Sequence, residues 1–184
     1  MADPTAPADP TDPADPDPDI RWFRRFRFSP EQAEAVRQQI GQSCRAIDEG
    51  LGSAELLAHL LELTWALPPL ERETEAVSFG RLALDLARAG GDGTTEIEAL
   101  LHTATALQYT GEPAEARAMF EAGIAVAART GGTGSLHYLQ HHLGRLTAEA
   151  LDPAGATEPL EAAPKQRREL GDEGLIRSTE TALA

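Results

Sequence analysis

A single cysteine, Cys44, stands in a chain of 184 residues. No internal disulfide can form, and a reducing cytoplasm is the expected compartment. Aromatic residues make up only 5% of the sequence, while Ala and Leu abound. That mix disfavours a sheet core and favours helices. Lysine is almost missing: Lys165 is the only one, against fifteen Arg. With so much Ala, Gly and Pro, this reads as the coding bias of a GC-rich bacterium. No apolar run approaches the length of about 18 residues that a membrane span needs. The first residues offer Asp and Pro where a secretory leader needs base and then an apolar stretch.

Positive charge is also in deficit. The formal net charge is −14, unevenly distributed. Residues 1–19 carry six Asp and no base, residues 20–28 carry four Arg and no acid, and the rest holds −12. An acidic body repels nucleic acid and anionic lipid, so neither is expected as a partner. Acidity serves solubility first and the steering of basic partners second.

Asp-Pro recurs five times between Asp3 and Pro18. Proline removes donors and pushes its predecessor toward extended backbone, and nothing apolar here offsets ordering entropy. Residues 1–19 therefore read as a disordered acidic tail. Residues 20–28 interleave four Arg with Trp22, Phe23, Phe26 and Phe28. Their aromatics are expected to cover the open end of the first repeats, with Arg heads reaching acidic groups. Ser29-Pro30-Glu31-Gln32 then sets an N-cap, a first-turn proline and a capping-box Gln, so a helix should run to about Glu49. Its apolar side is Ala33, Val36, Ile40, Cys44 (or Ser43), Ile47 and Leu51. Cys44 reads as a buried, inert thiol.

What the chain does have is a period. Forty residues separate Ala76 from Ala116, and forty more separate Ala116 from Ala156. Ala83, Gly123 and Ala163 keep the same step, as do Leu63, Thr103 and Leu143. Self-similarity of this length means stacked helical units. The first pair should occupy 53–67, capped by Ser53 and stopped by Pro68-Pro69, and 71–89. The second starts at a Thr95/Glu98 capping box, turns at Gly111 and resumes at Pro113 to about Thr130. The third covers 135–151 and then a helix from Pro153 to before Gly171, bent or divided by Pro159 and Pro164. Residues 172–183 should cap the array.

Leu100, Thr103-Ala104 and Leu107, followed by Ala116, Phe120 and Gly123, resemble the tetratricopeptide repeat (TPR) in its longer, about 40-residue form. Leu143-Gly144 with Ala156, Leu160 and Ala163 carries the pattern on, and Leu60, Leu63-Thr64, Leu67, Ala76 and Ala83 carry it back. In the first repeat Gly80 takes the aromatic slot and Phe79 lies one place off. The resemblance covers about 53–184 and implies an all-α, right-handed α-solenoid of about three helix pairs. An N-terminal helix and a C-terminal capping helix complete the domain of residues 29–184.

It also implies a concave face lined by first-helix positions: Leu61 and Trp65; Glu98, Leu101, Thr105 and Gln108; Tyr138, His141, Arg145 and Ala148. Aromatic, hydrogen-bonding and Arg side chains there suit a peptide or a segment of another protein. His137 and His141 stand at i, i+4, a metal-compatible spacing, yet no further ligand is evident and Tyr138 stands where a HExxH motif needs Glu. They read as polar groove residues, with no metal or other cofactor expected, and His142 as surface. Gly131-Gly132-Thr133-Gly134 lacks the Lys of a phosphate loop and reads as a linker. No base–nucleophile pair can be assigned, so an enzyme is not expected. The resemblance implies a peptide-binding adaptor or regulatory subunit of a bacterial cytoplasm. Self-association through the open ends of the array is the alternative.

Overall fold

The computed structural model describes residues 28–132 and 134–149. Six α-helices follow one another, with no strand among the described residues: α1 (Pro30–Glu49), α2 (Ser53–Ala66), α3 (Glu73–Gly90), α4 (Gly93–Thr110), α5 (Pro113–Thr130) and α6 (Leu136–Glu149). The expected acidic tail, residues 20–27, the third second-helix with Pro159 and Pro164, and the capping helix lie outside the described residues, as do the side chain of Ala148 and all of Ala156 and Ala163.

The helix ends follow local chemistry. At α1, the Ser29 hydroxyl accepts from the Gln32 N–H at 3.2 Å, and the Ser29 N–H donates to Gln32 Oε1 at 2.9 Å. This is the capping box expected from the sequence. At α2 the cap is one residue earlier than expected: Gly52 is the N-cap, and its N–H donates to Glu55 Oε2 at 3.3 Å. The α4 cap also differs. Asp92, not Thr95, closes that end, accepting from Thr94 N at 3.0 Å. A carboxylate at the N-cap is favoured by both the orphan N–H groups and the helix dipole. Thr95 is drawn into the first turn, its hydroxyl donating to the Asp92 carbonyl, which frees Glu98 for another role.

Between α2 and α3 the two prolines form a single 3-10 turn, Pro68–Leu70, and Glu71 follows at φ 62°. The corresponding turn after α4 uses Gly111 at φ 84°, where a residue without Cβ meets no steric penalty.

Packing is sequential. Each helix from α2 to α6 lies against the next, and α4 also touches α2 and α6. The first helices of successive pairs thus stand side by side and the second helices lie outside them. Ala76 and Ala116, forty residues apart, are both fully buried. Leu60, Leu63, Leu67, Leu100, Leu107, Phe120 and Leu139 form the inner core, all at 1% exposure or less. Burying each such side chain stabilises the fold by about 1.5–3 kcal/mol. Buried hydroxyls are satisfied within their own helices: Thr64 donates to Leu60 O and Thr103 to Ala99 O, both at 2.6 Å. Two of the side-chain ties between neighbours are Arg117 to Thr147 at 2.9 Å and the Arg81–Glu115 pair at 2.8 Å.

Candidate functional site

The first helices α2 and α4, with the end of α3 between them, enclose an open groove of about 1060 Å³. One stripe of α2 forms a wall. Ser53, Leu57, Leu61 and Trp65 recur every four residues and therefore share a face. The opposite wall comes from α4 through Thr95, Glu98 and His102. Leu86, Ala87 and Gly90 of α3 close the floor, and Asp92 and Glu62 supply further carboxylates. Among the described residues no Arg or Lys lines the groove.

Three expected groove residues meet here. Leu61 is 7% exposed and packs into the wall, while Trp65 is 52% exposed and lies across the mouth. Glu98 is half-buried and has no hydrogen-bond or ion-pair partner among the described residues. Burial raises its pKa above the ordinary glutamate value.

The other expected residues do not line this groove. Leu101 and Gln108 are buried within the helix stack, and Thr105 is half-buried, its hydroxyl donating to Leu101 O at 2.8 Å. On α6, Tyr138 is half-buried, while His141 and Arg145 are only 5% and 7% exposed. His137 is buried too, its ring 3.9 Å from that of Tyr138. Among the described residues no group of three or more His, Cys, Asp or Glu could hold a metal. His142 is not a surface residue: it is half-buried and stacks on Phe120 at 5.8 Å. Cys44 is half-buried rather than buried; the adjacent Ser43 takes the inner position at 2% exposure. Helical spacing of α1 left either residue open for that place.

Sequence reasoning missed His102. It stands one turn after Glu98 on the same face, and forty residues before His142. Its Nδ1 is enclosed without a hydrogen-bond partner, and burial lowers its pKa to about 4. His102 is therefore neutral at pH 7. The i, i+4 spacing of Glu98 and His102 was the available signal.

Ser43, His59 and Glu62 meet beside this groove and merit a chemical test. Ser43 Oγ donates to Glu62 Oε2 at 2.9 Å and lies 3.0 Å from His59 Nδ1. Gln39 also donates to Glu62. A serine hydroxyl has one proton, and here it points to the carboxylate. His59 must then donate its Nδ1–H to the serine, the reverse of what a general base does. Ser43 is also shielded from substrate. The cluster ties α1 to α2.

Comparison with known proteins agrees with this geometry. No family model matches the sequence, and no curated protein matches it. Among solved structures, the chain is similar to a kinesin light chain-type protein of Podosopora anserina built of nearly identical TPR-like repeats. That match has a TM-score of 0.58 at 20% identity, covering 83% of this chain and 74% of the other. A single-substitution variant of the same protein gives 0.60 at 19% over the same shares. The fold is that of a TPR-like α-solenoid. Among the described residues no helix is long and apolar enough to cross a membrane.

Proposed function

We propose that this chain is a peptide-binding TPR-like module, an adaptor or regulatory subunit of the bacterial cytoplasm, with its ligand lying along the groove between α2 and α4. The observation that carries this is the groove itself: an apolar floor and wall, an exposed Trp65 across the mouth, and carboxylates with no Arg or Lys among the described lining residues. Large rigid aromatics with apolar bodies make efficient anchors. The charge favours a segment that presents Arg or Lys beside apolar side chains. Of the other expected residues, the half-buried Thr105 and Tyr138 would extend the binding face along α4 and α6 for a longer ligand, whereas Leu101, Gln108, His141 and Arg145 are buried behind it. On this reading neither nucleic acid nor lipid is a ligand, since both are repelled by the acidic body.

A random-sequence peptide array probed with the purified chain tests this. The array should retain peptides rich in Arg or Lys and apolar residues, and Trp65→Ala or Glu98→Arg should weaken capture at least about tenfold, the effect of losing one well-buried anchor. Peptides held equally by both variants would overturn the groove assignment. Mass by light scattering addresses the alternative: a concentration-dependent dimer that withstands excess array-selected peptide would favour self-association.

A further inference from the structure

We infer that the groove between α2 and α4 is the seat of the chain's own residues 20–27, which act as an internal ligand that an outside partner must displace. The inference rests on the reading of that groove as a peptide site.

Continuity is the first argument. Phe28, the first described residue, sets its ring edge-on to Trp65, with centroids 5.9 Å apart. Trp65 is at the mouth of the groove. Since α1 and α2 are joined by only three residues, Gly50 to Gly52, they run in opposite senses. The chain therefore enters α1 at the Trp65 end of α2, directly beside the groove.

Reach is the second. Ser53 and Trp65 are twelve residues apart on α2, which is about 18 Å of helix. Eight residues, 20–27, extend to at most about 26 Å. A segment anchored at Phe28 can follow the groove along its whole length and little further.

Charge and chemistry are the third. Arg21, Arg24, Arg25 and Arg27 are accompanied by no acid within residues 20–27. The groove offers Glu62, Asp92 and Glu98 with no Arg or Lys among its described lining residues. Glu98 is half-buried and lacks a partner among the described residues. A guanidinium supplies paired donors to such a carboxylate in one plane. Trp22, Phe23 and Phe26 provide apolar bodies for the stripe of Leu57 and Leu61. Attachment at Phe28 raises the local concentration of the segment to the millimolar range, so modest intrinsic affinity suffices to fill the groove.

The test uses the full chain and a labelled synthetic peptide with the sequence of residues 20–28. Peptide affinity is read by fluorescence anisotropy for the wild type and for a variant carrying Arg21→Glu, Arg24→Glu, Arg25→Glu and Arg27→Glu. The variant should bind the peptide at least about tenfold more tightly, because the groove is no longer occupied from within. Adding Glu98→Arg should abolish the gain. In parallel, a photo-crosslinker at Phe23 in a mixture of light- and heavy-isotope chains should link to α2 or α4 peptides of the same isotope. Equal affinities, or crosslinks chiefly between light and heavy chains, would overturn the inference, the latter by making a second copy the occupant. If array-selected peptides bind wild type and variant alike, the groove reading stands and this inference falls. If neither chain retains any peptide, both fall.

Discussion

The layers α2–α3–α4 and α4–α5–α6 use one plan with the large and small residues exchanged. In the second, Phe120 fills the centre with no exposed surface, and Gly123 lets α5 approach α6. A Cβ on Gly123 would stand 2.7 Å from a Leu139 methyl. In the first, the place forty residues before Phe120 is Gly80, and the place before Gly123 is Ala83. A Cβ on Gly80 would stand 2.2 Å from Thr103 Oγ1 and 2.9 Å from Thr64 Cγ2. Close approach has moved by almost one helical turn, and the aromatic ring has left the central slot for the half-buried Phe79. His142 stacks on Phe120, while His102, forty residues earlier, has no such ring to cover it and lines the groove instead. A repeat can therefore keep its period and still alter where its volume sits. In this protein the pair with Gly80 in the aromatic slot is the one that carries the open site.

The sharpest way to break the comparison is Phe120→Ala. It should cost about 3–5 kcal/mol, because the ring is wholly enclosed and α4, α5 and α6 cannot collapse fully around the gap. Urea unfolding of the full chain measures it; a loss below about 1 kcal/mol would mean that Phe120 does not organise its layer.

His102 should give the next largest effect, and one that depends on pH. Its folded pKa of about 4 lies below the ordinary histidine value of 6.5. Between these values the unfolded chain binds the proton and the folded chain does not, so stability falls as pH drops through this window. The full loss from this group is up to about 3 kcal/mol. The stability advantage of wild type over His102→Asn should shrink by that order between pH 7 and pH 4. Glu98 works in the opposite direction, since a raised carboxyl pKa favours the fold as pH falls. Comparing His102→Asn with Glu98→Gln separates these effects, and a pH-independent difference for His102→Asn would show that its imidazole is not held neutral.

Glycine replacements refine the contrast between layers. Gly80→Ala should destabilise by about 1–2 kcal/mol, as overpacking against a β-branched Thr outweighs the better helix propensity of Ala. Gly123→Ala should lie within about 1 kcal/mol of wild type, because the obstructing Leu139 methyl can turn aside. Adding Thr103→Ala to Gly80→Ala should restore stability beyond additivity. Thermal denaturation of these variants beside wild type decides the ranking, which equal losses at the two glycines would overturn. Smallest of all should be Arg81→Ala: its pairing with Glu115 joins α3 to α5, yet both side chains are exposed, so the change should stay within about 1 kcal/mol and diminish with salt.

Much of the architecture was legible before any coordinates. Ser29-Pro30 and Gln32 announced α1, Gly111 and Pro113 announced the turn between α4 and α5, and the recurrence of Ala76 and Ala116 announced stacked helix pairs. These are local matters: a cap, a missing N–H, a missing Cβ or a fixed period act on the chain wherever it is. Cap choice at α4 was less secure, since Asp92 and Thr95 are both competent and only the phase of the helix chooses between them.

The site was only partly legible, because lining a groove depends on helix rotation. Leu61, Trp65 and Glu98 were assigned to it from the resemblance to the repeat family, whereas Leu101 and His102 exchange places with a turn of about 100° per residue. Packing against α2 and α6 sets that rotation. Composition and periodicity by themselves determined an acidic, helical, repeating chain without disulfides, since those properties belong to residue types and their order. Tertiary structure alone decided that Gly80 takes up the space between Thr64 and Thr103, that His102 stays neutral, and that Glu98 faces an open groove, because burial arises only when separate helices meet.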